Sequence, residues 1–120
     1  MIIDSHVHLD VYTDKIISPV KRISNLKEIM KKSKISKSIV LNDIEDNSLS
    51  IDDLLVLLKN EKDIFLVGGV RVTNISDKDI KKLRELILNK KIIGIKLYPG
   101  YEEFYPNDLR CNKIWLLAIF

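Results

Sequence analysis

The residues best suited to chemistry stand at the start of the chain, in Ile2-Ile3-Asp4-Ser5-His6-Val7-His8-Leu9-Asp10. His6 and His8 are the 2 histidines of a 120-residue sequence, and they fall two positions apart. The apolar, β-branched opening predicts an extended strand here. Successive side chains on a strand point to opposite faces, so Asp4, His6 and His8 are expected on one face and Ile3, Ser5 and Val7 on the other. Residues two apart on a strand lie roughly 6.5 Å apart at Cα. Two imidazoles at that spacing can lean toward one point and offer nitrogen to a single divalent cation at about 2.0–2.1 Å, with zinc the expected ion. The same pair can also stand on a polar strand edge without holding metal, and two ligands do not complete a site.

What has to position such a pair is a modest, well-packed domain. Hydrophobic residues make up 46% of the sequence and charged residues 31%, the balance of a folded globular chain rather than a disordered one. The net charge of +3 is spread over isolated lysines. Lys31-Lys32-Ser33-Lys34 is basic but has no interleaved aromatic, so it reads as a solvated helix end and no nucleic-acid partner is expected. One cysteine, Cys111, allows no internal disulfide; it reads as structural and suits a reducing cytoplasm. No leader pattern is read at the N-terminus, and no apolar run approaches the ~20 residues that span a bilayer.

Taken in order, strand and helix alternate. After the histidine strand, a polar loop over 12–19 carries Asp14 and Lys15. Ile23, Leu26, Ile29 and Met30 recur at helical spacing, with Ser24 or Asn25 as the expected cap. Ser38-Ile39-Val40-Leu41 reads as a buried strand. Ser50 is expected to cap a helix with Ile51, Leu54, Leu55 and Leu58 on its buried stripe. Ile64 to Val72 reads as a third strand whose Gly68 and Gly69 mark a close backbone approach. Ser76 and Asp79 resemble a capping box for a third helix that buries Ile80, Leu83, Leu86 and Ile87 and ends at Asn89. Residues 92–97 predict a fourth strand, and 111–120 the opening of a fourth helix, with Trp115 and Phe120 expected in the core. This order predicts a parallel α/β sheet with right-handed crossovers, in one domain.

Two stretches carry a family resemblance. Met1 to Asp10 resembles the first barrel strand of the amidohydrolase superfamily, which opens with a hydrophobic-Asp-x-His-x-His strand. Gly94-Ile95-Lys96-Leu97-Tyr98-Pro99-Gly100-Tyr101 resembles the fourth-strand segment of the amidohydrolase-2 (amidohydrolase-related) group. The resemblance implies a metal-dependent hydrolase on a (β/α)8 TIM barrel, acting on small-molecule amides, esters or carboxylates. His6 and His8 would be the first-strand metal ligands. The further ligands that the family places after strands five, six and eight have no counterpart here. Such a barrel needs about 250 residues, so residues 1–120 are expected to form its N-terminal half, about four βα units, truncated before strand five and inactive alone. Its edges would then be closed by a C-terminal half or by a second copy.

The remaining candidates follow from the same placement. Asp4 is expected either to orient the imidazoles from behind or to fill a layer of the barrel interior. Lys96 shares its parity with Ile92 and Gly94, which points it inward; a lysine there needs a task or a partner, and it is the candidate catalytic residue, facing substrate or paired with a carboxylate. Arg71 and Tyr98 lie where such barrels hold substrate, though Arg71 reads equally well as a loop residue. Two other readings remain. One is a metal-dependent deoxyribonuclease of the same superfamily, which shares the opening motif but places a metal-binding glutamate on the fourth strand, where this chain has Gly94-Ile95-Lys96. The other is a non-catalytic half-barrel that pairs with a partner chain.

Overall fold

The computed structural model describes residues 1–9 and 17–119. Asp10, most of the 12–19 loop including Asp14 and Lys15, and Phe120 lie outside the described residues. Four strands, β1 (Ile3–Val7), β2 (Lys37–Leu41), β3 (Ile64–Gly69) and β4 (Gly94–Lys96), pair in the order β1-β2-β3-β4, all parallel. Helices α1 (Pro19–Lys32), α2 (Ile51–Leu58) and α3 (Asp77–Leu88) make the crossovers. A short helical segment, α4 (Asn112–Trp115), flanked by 3-10 turns, follows β4. The architecture is α/β and compatible with one half of a TIM barrel. Among the described residues no helix is long and apolar enough to cross a membrane.

The caps explain where the helices begin. In α2 and α3 the serine hydroxyl accepts the N3 amide while the N3 aspartate accepts the cap amide; Ser76 with Asp79 forms the expected box, and at Ser50, expected only as a cap, Asp53 completes a second one. Asn89 is the C-cap of α3, also as expected. α1 differs. It starts at Pro19, capped by the Ser18 hydroxyl, and both Ser24 and Asn25 lie inside the helix. Proline at the first helical position has its φ preset and no amide to satisfy, which makes Ser18-Pro19 the stronger start signal.

One face of the sheet is covered by the helices. Ile23, Leu26 and Met30 of α1, Leu54 and Leu58 of α2, Leu83 of α3 and Ile114 and Leu117 near α4 pack with Val40, Ile64 and Leu66. Cys111 sits in this core, where burial pushes its thiol up from the ordinary value. Trp115 does not; it is 44% exposed, and its indole N–H donates to the Pro106 carbonyl at 3.3 Å. That corrects the expectation of a core tryptophan. Ile114 and Leu117 take the inward side of this short segment, which leaves the Trp115 ring at the surface.

The opposite, inner face carries Ile39 beside Phe65, Leu41 beside Val67, and Val67 beside Gly94. Lys37 lays its ammonium 5.4 Å from the Phe65 ring centroid. Ile3, paired with Lys37, is 48% exposed on this side.

β3 and β4 are shorter than the apolar runs suggest, ending at Gly69 rather than Val72 and spanning Gly94–Lys96 rather than 92–97. A Cβ built on Gly69 would lie 2.4 Å from the Asn42 carbonyl oxygen. That is the close backbone approach expected at this glycine pair. Gly69→Ala is therefore expected to destabilise the fold by about 1–3 kcal/mol through forced backbone movement. Gly94→Ala, whose Cβ would meet Val67 at an ordinary 3.6 Å, should cost far less. Denaturant midpoints of the two variants check the contrast.

Candidate functional site

The site gathers at the C-terminal end of the sheet, where strands hand over to loops. Its first element is a bulge in β1. Ile3 pairs with Lys37 and Asp4 with Ser38, but Val7 pairs with Val40, so three residues of β1 span two of β2. An inserted residue resets the alternation of side chains. Val7 joins the helix-side core beside Val40. His6 and His8, on either side of it, face inward.

This corrects the expectation that Asp4 shares a face with the histidines. Asp4 lies in register with the fully buried Ser38, on the helix-covered side. Its carboxylate accepts the main-chain N–H of His6 at 3.2 Å. Asp4 thus acts on the backbone that carries His6.

The two imidazoles converge. Their Nε2 atoms are 3.0 Å apart, with ring centroids 5.0 Å apart and planes tilted by 58°. His6 is exposed, His8 is half-buried, and the Nδ1 atom of His8 is buried. Two nitrogens at that separation can both lie about 2.1 Å from one ion, so the pair fits the donor set of a zinc-like cation. Without an ion the same geometry suits a hydrogen bond from one Nε2–H to the other Nε2, the tautomers deciding which ring donates. Among the described residues no group of three or more His, Cys, Asp or Glu side chains is placed to hold a metal. The described residues bring two candidate donors together and no third.

A concavity of about 670 Å3 opens beside the pair, lined by His6, His8, Asp43, Glu45, Arg71, Lys96 and Tyr98 among others. The structure therefore brings together every sequence-derived candidate except Asp4. Lys96, in register with Gly69 on the inner face, holds its ammonium 4.8 Å from the Tyr98 ring centroid. The Tyr98 hydroxyl donates to the buried Asn42 carbonyl, so the ring rather than the hydroxyl faces the concavity. Arg71, in the loop after β3, donates to the Ile44 carbonyl and to Asp46 at 3.2 Å. Asp46 is 98% exposed, so that ion pair contributes little stability.

Two residues that anchor this mouth had no sequence signal of their own. Asn42 reads as the polar end of a strand, yet it is buried; its side chain donates to Leu49 O at 2.7 Å and accepts Gly69 N–H at 3.3 Å. Glu102 reads as a loop acid, yet it is buried and bonds to Val72 and Thr73 in the loop after β3. Burial alone would raise its carboxyl; the Thr73 hydroxyl and the Val72 and Thr73 amides outweigh that, with help from the charge of Arg71, and hold it below the usual carboxylate range.

No protein-family model matches the chain, and no curated protein matches it. Among solved structures it superposes on the crystal structure of a probable 2-pyrone-4,6-dicarboxylic acid hydrolase from Acinetobacter baumannii, with citric acid bound, at a TM-score of 0.63 and 14% identity. The likeness is one of fold, over the part of the neighbour that the match covers. The match covers 98% of this chain and 45% of that one, so this chain spans less than half the length of its structural neighbour.

The lowered Glu102 carboxyl sets a pH dependence. Its stabilising contribution is complete above the ordinary value of 4.5 and is lost as pH falls through the lower folded value. Glu102→Gln is expected to lower the melting temperature at neutral pH, and the gap to wild type should close as the solution is acidified below 4.5. Melting curves of both proteins across that range check it.

Proposed function

We propose that the chain carries the N-terminal half of a metal-dependent hydrolase site of the amidohydrolase-2 type, on one half of a (β/α)8 barrel. The substrate is a small molecule bearing an amide, ester or carboxylate. The observation that carries this reading is the convergence of His6 Nε2 and His8 Nε2 to 3.0 Å at the C-terminal end of β1, the end where such barrels keep their active sites. In this reading His6 and His8 hold a divalent cation, zinc by preference. When bound, that ion polarises a substrate carbonyl and lowers the pKa of its water toward ~7.

The chain's own side chains then have distinct tasks. Asp4 fixes the backbone of His6. Lys96 on the inner face and Arg71 at the rim present two cations to a substrate carboxylate, and Tyr98 forms the wall between Lys96 and the Asn42 turn. The name of the structural neighbour, a probable hydrolase of a dicarboxylic acid, agrees with the two cations of the concavity, which Asp43 and Glu45 line as well. The deoxyribonuclease alternative has less support, because Lys96 stands on β4 where that family places a metal-binding glutamate.

The rest of the ligand set lies in a C-terminal half, supplied by further sequence or by a separate chain. The half-exposed inner face, with Ile3 at 48%, favours such a pairing, since parallel sheets are ordinarily covered on both faces.

Cobalt(II) titration of the chain, followed by absorption spectroscopy, tests the metal assignment. The expected result is one weakly held ion, with His6→Asn or His8→Asn lowering affinity by at least about tenfold. Equal binding by the double variant would contradict it. Sedimentation of the chain alone tests the pairing: self-association is expected, and a sharply melting monomer would count against it.

A further inference from the structure

The loop after β4 carries a carboxylate that the proposed site does not use. Glu102 is 7% exposed. Its Oε2 accepts the Val72 amide at 3.0 Å, and its Oε1 accepts the Thr73 amide at 3.2 Å and the Thr73 hydroxyl at 2.6 Å. All three donors lie in the loop after β3, directly beyond Arg71. The main chain of Glu102 is held as firmly. Its amide donates to the Tyr98 carbonyl at 3.1 Å, and the turn between them passes through Gly100 at φ +94°, a left-handed position that favours glycine. One buried side chain thus locks the segment bearing Lys96 and Tyr98 to the segment bearing Arg71. Bonds to a buried carboxylate are among the stronger ones available to a loop.

We propose that Glu102 is a positioning residue for the anion-binding wall of the histidine concavity: by gripping Val72 and Thr73 it holds Arg71 toward the same space that Lys96 faces, so that both cations meet one ligand carboxylate. The proposal rests on reading that concavity as the ligand pocket. Glu102 itself does not line it. Its negative charge works against anion binding, so its value lies in placement alone. Two accounts therefore predict opposite signs. If Glu102 acts only by its charge, or only on overall stability, Glu102→Gln leaves anion affinity unchanged or raises it. If Glu102 positions Arg71, the same change lowers affinity, because the glutamine NH2 cannot accept the amide that Oε2 accepts now.

Malonate, a simple dicarboxylate, serves as the probe, titrated calorimetrically at low salt into the folded chain. Wild type is expected to bind it, Arg71→Gln to lose that binding, and Glu102→Gln to bind about tenfold more weakly. Thr73→Val, which removes one of the three donors without altering charge, should give a smaller loss in the same direction and carries the test if Glu102→Gln fails to fold. Malonate affinity in Glu102→Gln equal to or above that of wild type overturns the proposal, as does wild-type binding that is absent or indifferent to Arg71→Gln. Cobalt binding at His6 and His8 is expected to survive Glu102→Gln. Loss of cobalt binding in wild type with the malonate pattern intact would remove the hydrolase reading and leave this placement standing.

Discussion

The geometry at the mouth of the sheet depends on how β1 pairs with β2. Ile3 sits beside Lys37 on the inner face, and strict alternation from there would point Ser5 and Val7 inward and send both histidines into the helix layer. The bulge between Asp4 and Val7 inserts one residue and reverses that phase. His6 and His8 turn inward as a result, and Val7 takes its place against the core. The carboxylate of Asp4, bonded to the His6 amide, ties down the irregular stretch. Two converging imidazoles are obtained by giving up one regular pairing step, a common use of bulges beside functional sites.

The other loops are held by buried bonds that run from one to the next. Tyr98 reaches back to the Asn42 carbonyl, Asn42 holds Leu49 and Gly69, and Glu102 holds Val72 and Thr73. Gly69 is what lets the ends of β2 and β3 approach this closely. The ion pairs at the rim matter less. Arg71 with Asp46 and Lys82 with Asp52 are solvent-exposed, and exposed pairs contribute about 0–1 kcal/mol. Rigidity at this end of the sheet thus comes from a few shielded polar contacts, while its surface charges stay able to exchange partners.

Much of this was legible in the chain because the relevant signals are local. β-branched runs marked the strands, i, i+3, i+4 stripes marked the helices, and the Ser50 cap and the Ser76/Asp79 box marked helix starts within a residue. The candidates His6, His8, Arg71, Lys96 and Tyr98 could be brought to one end because parallel βα order puts every strand's C-terminal end there. Features set by distant partners were not legible. The bulge in β1 is defined by β2, more than 30 residues on, and nothing in Asp4-Ser5-His6 announces it. Glu102 bonds to residues 29 and 30 positions away, and by composition it resembles its solvated neighbour Glu103. Trp115 misled because a large aromatic at helical spacing is ordinarily core, whereas Ile114 and Leu117 fill that role in so short a segment.

The central claim is that the two imidazole Nε2 atoms are aimed at a common cation. Long-range 15N–1H correlation of the histidine rings during zinc titration tests it most directly, since it reports tautomer and ligation at each nitrogen. The account predicts that zinc moves the Nε2 resonances of His6 and His8 together, saturates at one ion, and leaves both rings with the proton on Nδ1. Resonances that stay in place, or that move for one ring and not the other, would contradict it.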